Sequence, residues 1–556
     1  LIYIIKSIKK LKMTKNLKNE HKYNKKSNYI FKLIKKPIFF LFIIGIIGLI
    51  IRLYYFPFDL PITHDSIDYF SYAVVTSQQG HLPVDWGLTN NGWPIFLSFF
   101  FSIFEPQKFL ELTYLQRFLS IIISVLTIIP VYLLCSRFVK KQFAVIGAAL
   151  FVLEPRIIIN SLLGITEPAY LLLGIISLFL FLSKRPTVIL ISFFTLALCS
   201  TIRYEGFLLL FPFLMIFFIR FRKDERIIQK IFLAIGIFFI TIAPIAFATY
   251  EATGEDGIIT PIFEGGMAYV LTHVIQGIPD TNDVIYGENI EEDRVSTFVS
   301  LGIINTIKYF GWVLIPTFLL FIPIGVILLF QKRDYKTFTI ILFGITMLIP
   351  AFYAYGRGIE DTRYLYMLFP ILCIISSLTI KKISEKFKKE NLILITIVIG
   401  IILSSVIFLD YKKIDYDHEI ESYLIAKDIT SIVGGINHYS PGGKYIHIAE
   451  IANSWPIIPL PSQEENYNQS WDIKKISPRE YSSLKDYIKN SNEKGLTHIV
   501  IRERNDVEFF NDIFYHEEKY PYLIKKYDSL DHGFNLQIIM YEIDYKIFQN
   551  FYNILN

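Results

Sequence analysis

Long apolar runs alternate with short polar turns from Pro37 to Leu409, and the pattern stops there. A helix needs about 20 apolar residues to cross a bilayer. Runs of that order predict spans near residues 37–55, 116–137, 143–158, 168–183, 187–202, 206–220, 230–249, 307–330, 337–355, 364–380 and 392–409. That makes about 11 transmembrane helices, the third to fifth short and closely spaced. Two stretches between spans are long, 56–115 and 250–306. Residues 1–36 are rich in Lys and Asn and hold no apolar run long enough for a signal sequence, so a disordered basic N-terminus is expected, with Met13 a candidate start. Beyond Leu409 the chain is polar. Strand-like runs (Tyr445–Ala449, His498–Ile501, Leu536–Ile543) and helix-like stretches (Glu419–Val433, Pro478–Lys489) predict a compact α/β domain over 410–556. The expected fold class is a polytopic α-helical membrane protein, its helical module at 37–409, followed by that α/β domain.

Composition confirms the class. Of 556 residues, 53% are apolar and 19% charged, against roughly 25% charged in an ordinary soluble protein. Mean hydropathy is +0.43. A soluble enzyme, a coiled coil and a disordered chain are excluded. The net charge of +5 is too even to point to nucleic acid. Its distribution says more. Every second loop is basic: Arg137-Lys140-Lys141, Lys184-Arg185, Arg220-Arg222-Lys223-Arg226, Lys332-Arg333-Lys336 and Lys381-Lys382-Lys386-Lys388-Lys389. The positive-inside rule then puts the N-terminus in the cytoplasm and the α/β domain outside, in a multi-pass protein of the plasma membrane. Cys135, Cys199 and Cys373 all fall in spans, so the outer domain holds no disulfide and no thiolate zinc site. The sequon Asn468-Gln469-Ser470 is a candidate glycosylation site there.

The chemistry-bearing residues gather at the outer ends of spans. They are His64-Asp65-Ser66-Ile67-Asp68-Tyr69, Glu154-Pro155-Arg156, Thr166-Glu167-Pro168, Arg203-Tyr204-Glu205-Gly206 and Glu360-Asp361-Thr362-Arg363-Tyr364. Carboxylates and arginines thus converge on one membrane face at headgroup depth, where a lipid phosphate sits. A transporter or flippase would place ionisable groups inside its spans, and almost none lie there. No phosphate-binding Gly-rich loop of the GxxxxGK[ST] type occurs. An enzyme with this layout takes its activated substrate from the membrane.

These segments resemble, in order and sidedness, the GT-C membrane glycosyltransferases, most of all the protein-mannosyltransferase/aminoarabinose-transferase branch. The match runs over roughly 37–380 and includes Asn90-Asn91-Gly92-Trp93-Pro94 and Gln116-Arg117-Phe118-Leu119-Ser120. The resemblance implies a transferase that uses a polyprenyl-phosphate-linked sugar (dolichyl-phosphate in the mannosyltransferases) and acts on an extracytoplasmic protein, glycan or lipid acceptor. It implies Asp65 as the general base and Arg363 as a phosphate-contacting arginine.

The residue types fit those roles. Displacement at an anomeric carbon needs a base beside the attacking hydroxyl, and a positioned carboxylate contributes about 10²–10⁴-fold. Asp68, three residues on, shares a helical face with Asp65 and is the second candidate. Either could instead cap a short helix. A guanidinium grips phosphate oxygens with a planar fork, which nominates Arg363 first and Arg203 second. The alternatives are ion pairs, Arg363 with Glu360 or Asp361 and Arg203 with Glu205. His64 could orient the carboxylate, bind a metal or be an ordinary interfacial histidine. Glu167 could act on substrate or complement a helix dipole, and Glu154 could pair with Arg156. Trp86, Trp93 and Tyr69 fit an interfacial aromatic belt better than sugar platforms. The runner-up enzyme is an oligosaccharyltransferase with a divalent cation held by carboxylates such as Asp65, Glu154 and Glu167; otherwise no cofactor is called for. The outer domain could bind acceptor or shield the site.

Overall fold

The apolar runs form helices because no backbone polar group can be left unpaired in lipid. A computed structural model describes residues 37–58, 60–62, 65–104, 109–276, 294–387, 390–412, 417–433, 438–439, 478, 481–493, 495–503 and 507–554. Among the described residues, eight helices are long and apolar enough to span: Pro37–Tyr54, Leu110–Cys135, Tyr204–Phe221, Ile227–Thr253, Arg294–Leu314, Tyr335–Gly356, Thr362–Phe387 and Leu392–Tyr411. Lys141–Val152 and Pro155–Ser161 form a ninth, bent by 53°. The bend lies where Pro155 forces Glu154 into extended backbone (φ −65, ψ 123). Gly92–Ile103, Glu167–Phe181 and Pro186–Ile202 are apolar but shorter, so eight spans, or nine with the bent pair, stand against the eleven expected from sequence.

The short ones need help at their ends. Fifteen residues of helix reach only about 22 Å, less than the roughly 30 Å hydrocarbon core. Arg220 finishes the carbonyls beyond Glu167–Phe181, donating to Phe181 O at 2.8 Å and Ser183 O at 2.5 Å. Its guanidinium lies 4.0 Å from the centre of the Tyr335 ring.

One expectation is corrected. The run at 307–330 is two helices, Arg294–Leu314 and Ile322–Phe330, because Pro316 and Pro323 interrupt it. The stretch 56–115 also carries two helices of its own, Asp65–Gln79 and Gly92–Ile103, which meet through Phe70 and Phe101.

The helix Thr362–Phe387 is the hub, with 89% of its apolar window buried against 17% for Ile227–Thr253 and Leu392–Tyr411. Small residues let neighbours close on it. At Gly325 a Cβ atom would sit 2.2 Å from the Ile375 carbonyl oxygen.

The C-terminal part has a four-stranded sheet in the order β1-β2-β4-β3: β1 His438–Tyr439, β2 His498–Arg502, β3 Leu523–Asp528 and β4 Ile538–Ile543. β1 runs parallel to β2, and β4 is antiparallel to β2 and β3. Side chains alternate between faces. Ile499, Ile501, Ile539 and Tyr541 pack with Tyr487, Phe510 and Phe548 of three helices. Val500 and Met540 face Ile425 and Ile429 of the helix Asp417–Val433. That helix also sends Tyr423 and Ala426 into the core of the membrane module. β2 and β4 match the expected strands. β3, the polar edge strand with Lys525 and Lys526, was not anticipated, and the run Tyr445–Ala449 lies outside the described residues, as does Asn468.

Candidate active site

The segment after the first span is held by buried donors from the second span. Arg117 donates to the carbonyls of Leu60 (2.5 Å) and Pro61 (3.0 Å). Gln116 Nε2 bridges the carbonyls of Ser66 (3.1 Å) and Gly164 (2.8 Å), and Trp93 Nε1 adds a bond to Gly164 O at 3.0 Å. Gly164 takes φ +76, open to glycine without strain. This clamp ties the start of the helix Asp65–Gln79 to the turn before Glu167.

The other wall comes from two Arg-Tyr turns. Arg203-Tyr204 and Arg363-Tyr364 each open a 3-10 segment, Tyr204–Leu209 and Thr362–Leu368. Ahead of the second, the helix Tyr335–Gly356 ends in a Schellman turn. Gly358 adopts φ +78, with Gly358 N donating to Tyr355 O and Ile359 N to Ala354 O, each at 3.1 Å. Asp361 then caps the 3-10 turn, accepting from Arg363 N at 2.8 Å.

These elements bring five of the anticipated residues together. Arg203 binds Glu205 with two bonds (Nη2–Oε1 2.8 Å, Nε–Oε2 3.3 Å) and Glu167 with a third (Nη1–Oε1 2.6 Å). Burial pulls the guanidinium down, but Glu205 and Glu167 outweigh it and hold it well above its ordinary value. Arg363 contacts three carboxylates: Asp361 through Nε (2.5 Å), and Asp65 (3.1 Å) and Glu167 (3.8 Å) through Nη1. Asp65 stands 298 residues from Arg363 in sequence and is half exposed, at 52%, whereas Glu167 is at 3%. Beside the cluster lies a cleft lined by the charged Glu167, Arg203, Glu205 and Arg363 together with Tyr170, Met347, Pro350 and Met367.

Asp68 sits exposed in the first turn of its helix. Glu154 is fully buried at the helix bend, paired with Arg156 (3.0 Å) and Thr317 (3.1 Å). His64 lies outside the described residues. Glu360 pairs with Lys308 at 3.2 Å, so of the two partners considered Asp361 is the one on Arg363. Trp93 is buried, not part of an interfacial belt.

Sequence reasoning gave no individual role to three residues, although it singled out the Asn90-Asn91 segment. Asn90 (φ +65) accepts from Tyr204 N at 3.1 Å and hydrogen-bonds Tyr69. Burial pushes that phenol up to about 12. Asn91 donates to Thr249 Oγ1 at 3.2 Å. Arg52 is wholly buried and donates to Ser161, Gly48, Val152 and Ser124 at 2.9–3.0 Å. The left-handed Asn90 in the Asn-Asn-Gly turn was the one available signal.

The fold is that of the GT-C membrane enzymes. The chain superposes on ArnT from Cupriavidus metallidurans bound to undecaprenyl phosphate with a TM-score of 0.53 at 9% identity, covering 91% of this chain and 97% of that one. The Archaeoglobus fulgidus oligosaccharyltransferase in the apo form gives 0.52 at 13% identity, covering 84% and 70%. The same enzyme in complex with Zn and sulfate gives 0.51 at 14%, covering 83% and 68%. Neither a family model nor a curated protein matches the sequence.

Proposed function

We propose that this chain is a membrane glycosyltransferase that moves a sugar from a polyprenyl-phosphate carrier to an extracytoplasmic acceptor, with inversion. The observation that carries the reading is the meeting of Asp65 and Arg363 beside a cleft lined by both charged and apolar side chains. A carrier offers the same two characters, a phosphate and a hydrocarbon chain. The shared fold with a protein solved bound to undecaprenyl phosphate supports it. In this proposal the N-terminus is cytoplasmic and the sheet domain lies outside.

Asp65 takes the proton of the acceptor hydroxyl. The acceptor oxygen attacks the anomeric carbon, and the bond from that carbon to the phosphate oxygen breaks. The phosphate leaves with the electron pair, and Arg363 stabilises its charge. Arg203 is bound by Glu205 and Glu167; it contributes by fixing Glu167 on the flank of Arg363.

The oligosaccharyltransferase reading with a divalent cation fits these residues less well. Among the described residues no group of three or more His, Cys, Asp or Glu side chains has the arrangement of a metal site. Asp65, Glu167, Glu205 and Asp361 are committed to guanidiniums, with which a cation would compete. No step is therefore routed through a metal.

The test is transfer from a labelled polyprenyl-phosphate hexose in membranes. Asp65→Asn is expected to lower the rate by about 10²–10⁴-fold. Transfer at the wild-type rate by a folded variant overturns the assignment.

A further inference from the structure

We propose that the carrier phosphate and Asp65 compete for Arg363, so that the base is released only when the donor is bound. The inference rests on the function proposed above and adds an order of events to it.

The charge balance points to it. Two arginines, Arg203 and Arg363, share four carboxylates, Asp65, Glu167, Glu205 and Asp361. The cluster therefore carries two negative charges in excess before any phosphate arrives. A phosphate can approach Arg363 at low cost only if a carboxylate withdraws.

Three of the four are fixed. Asp361 holds both Nε and the backbone N–H of Arg363, from two residues away. Glu167 and Glu205 are buried and held by Arg203. Asp65 is half exposed, and among the described residues Arg363 is its one ion-pair partner. It is also the only one of the four that sits on an outer helix, Asp65–Gln79, rather than in the two Arg-Tyr turns or at the start of Glu167–Phe181. Asp65 is the member that can leave.

The consequence is functional. While Asp65 holds Arg363, its Oδ2 accepts from Nη1 and occupies the place on the guanidinium that the carrier phosphate would take. Donor phosphate displaces it, and the freed carboxylate is left beside the cleft to receive the acceptor hydroxyl. Binding is thereby ordered, donor before acceptor, and the coupling is reciprocal.

The experiment measures binding of sugar-free undecaprenyl phosphate to the full-length protein in nanodiscs, with thermal unfolding of each variant as the folding control. Removing the competing charge in Asp65→Asn is expected to tighten binding about three- to tenfold, since a half-exposed pair is weak. Asp68→Asn removes the same charge one turn along and is expected to change it less than about twofold. Arg363→Met is expected to weaken it at least about tenfold. If wild type binds and Asp65→Asn binds no tighter, or Asp68→Asn tightens equally, the exchange is overturned while the donor reading stands. If wild type binds no carrier, or Arg363→Met binds as well as wild type, both fail.

Discussion

Arg203 and Arg363 look alike in sequence, each followed by Tyr and flanked by a carboxylate, yet their surroundings give them different work. Arg203 is 16% exposed and shared by two nearly buried acids, Glu167 and Glu205. Breaking a buried pair from one side leaves an uncompensated charge and costs about 3–5 kcal/mol. Arg203→Met is therefore expected to lower unfolding stability in detergent by that amount. Adding Glu205→Gln should recover part of the loss, because one stranded charge is removed; a double variant less stable than Arg203→Met alone would contradict the account. The sequence already placed Asp65, Glu167, Arg203, Glu205 and Arg363 at span ends. It left Glu360 and Asp361 as equal partners of Arg363, because the choice depends on Asp361 capping the 3-10 turn. Gln116 and Trp93 were not readable as clamps, since what an amide or indole bonds is decided by which carbonyl the tertiary fold delivers, here Gly164.

Helices are where the apolar pattern speaks most clearly, because lipid enforces internal backbone bonding. It fails where proline cuts a run that is still apolar, as between Leu314 and Ile322. The short helix Ile322–Phe330 that results lies against the hub, and its contact with the hub's backbone is set by Gly325. A methyl there meets the Ile375 carbonyl and cannot be accommodated by a rotamer change. Gly325→Ala is expected to destabilise by about 3 kcal/mol, the upper part of the range for overpacking. Gly344→Ala offers the contrast: its nearest neighbour is the tip of Ile371 at 3.1 Å, which can move. There the gain in helix propensity, up to about 1 kcal/mol, should leave stability unchanged or higher. Thermal unfolding of the two variants side by side checks the sign of each.

Across the whole molecule the fold sorts charge into two faces. Lys332 and Lys336 donate to the carbonyls of Phe138 (3.2 Å) and Arg137 (3.0 Å), and Arg220 to those of Phe181 and Ser183. Four basic loops, distant in sequence, thus meet at one end of the helices. Asp65, Glu167, Arg203, Glu205, Asp361 and Arg363 meet elsewhere, around the cleft. Loop charges read one at a time gave an alternation; the contacts show that the basic members share one surface, as a single cytoplasmic face requires. The proposed orientation puts Arg333 inside and the sheet domain outside. Cysteine accessibility tests it without a background, because Cys135, Cys199 and Cys373 are all buried. Asp531→Cys, on an exposed turn after β3, should react with a membrane-impermeant maleimide in intact cells. Arg333→Cys, also exposed, should react only after permeabilisation. The opposite result would put the cleft on the cytoplasmic side, and the acceptor would then have to be sought there.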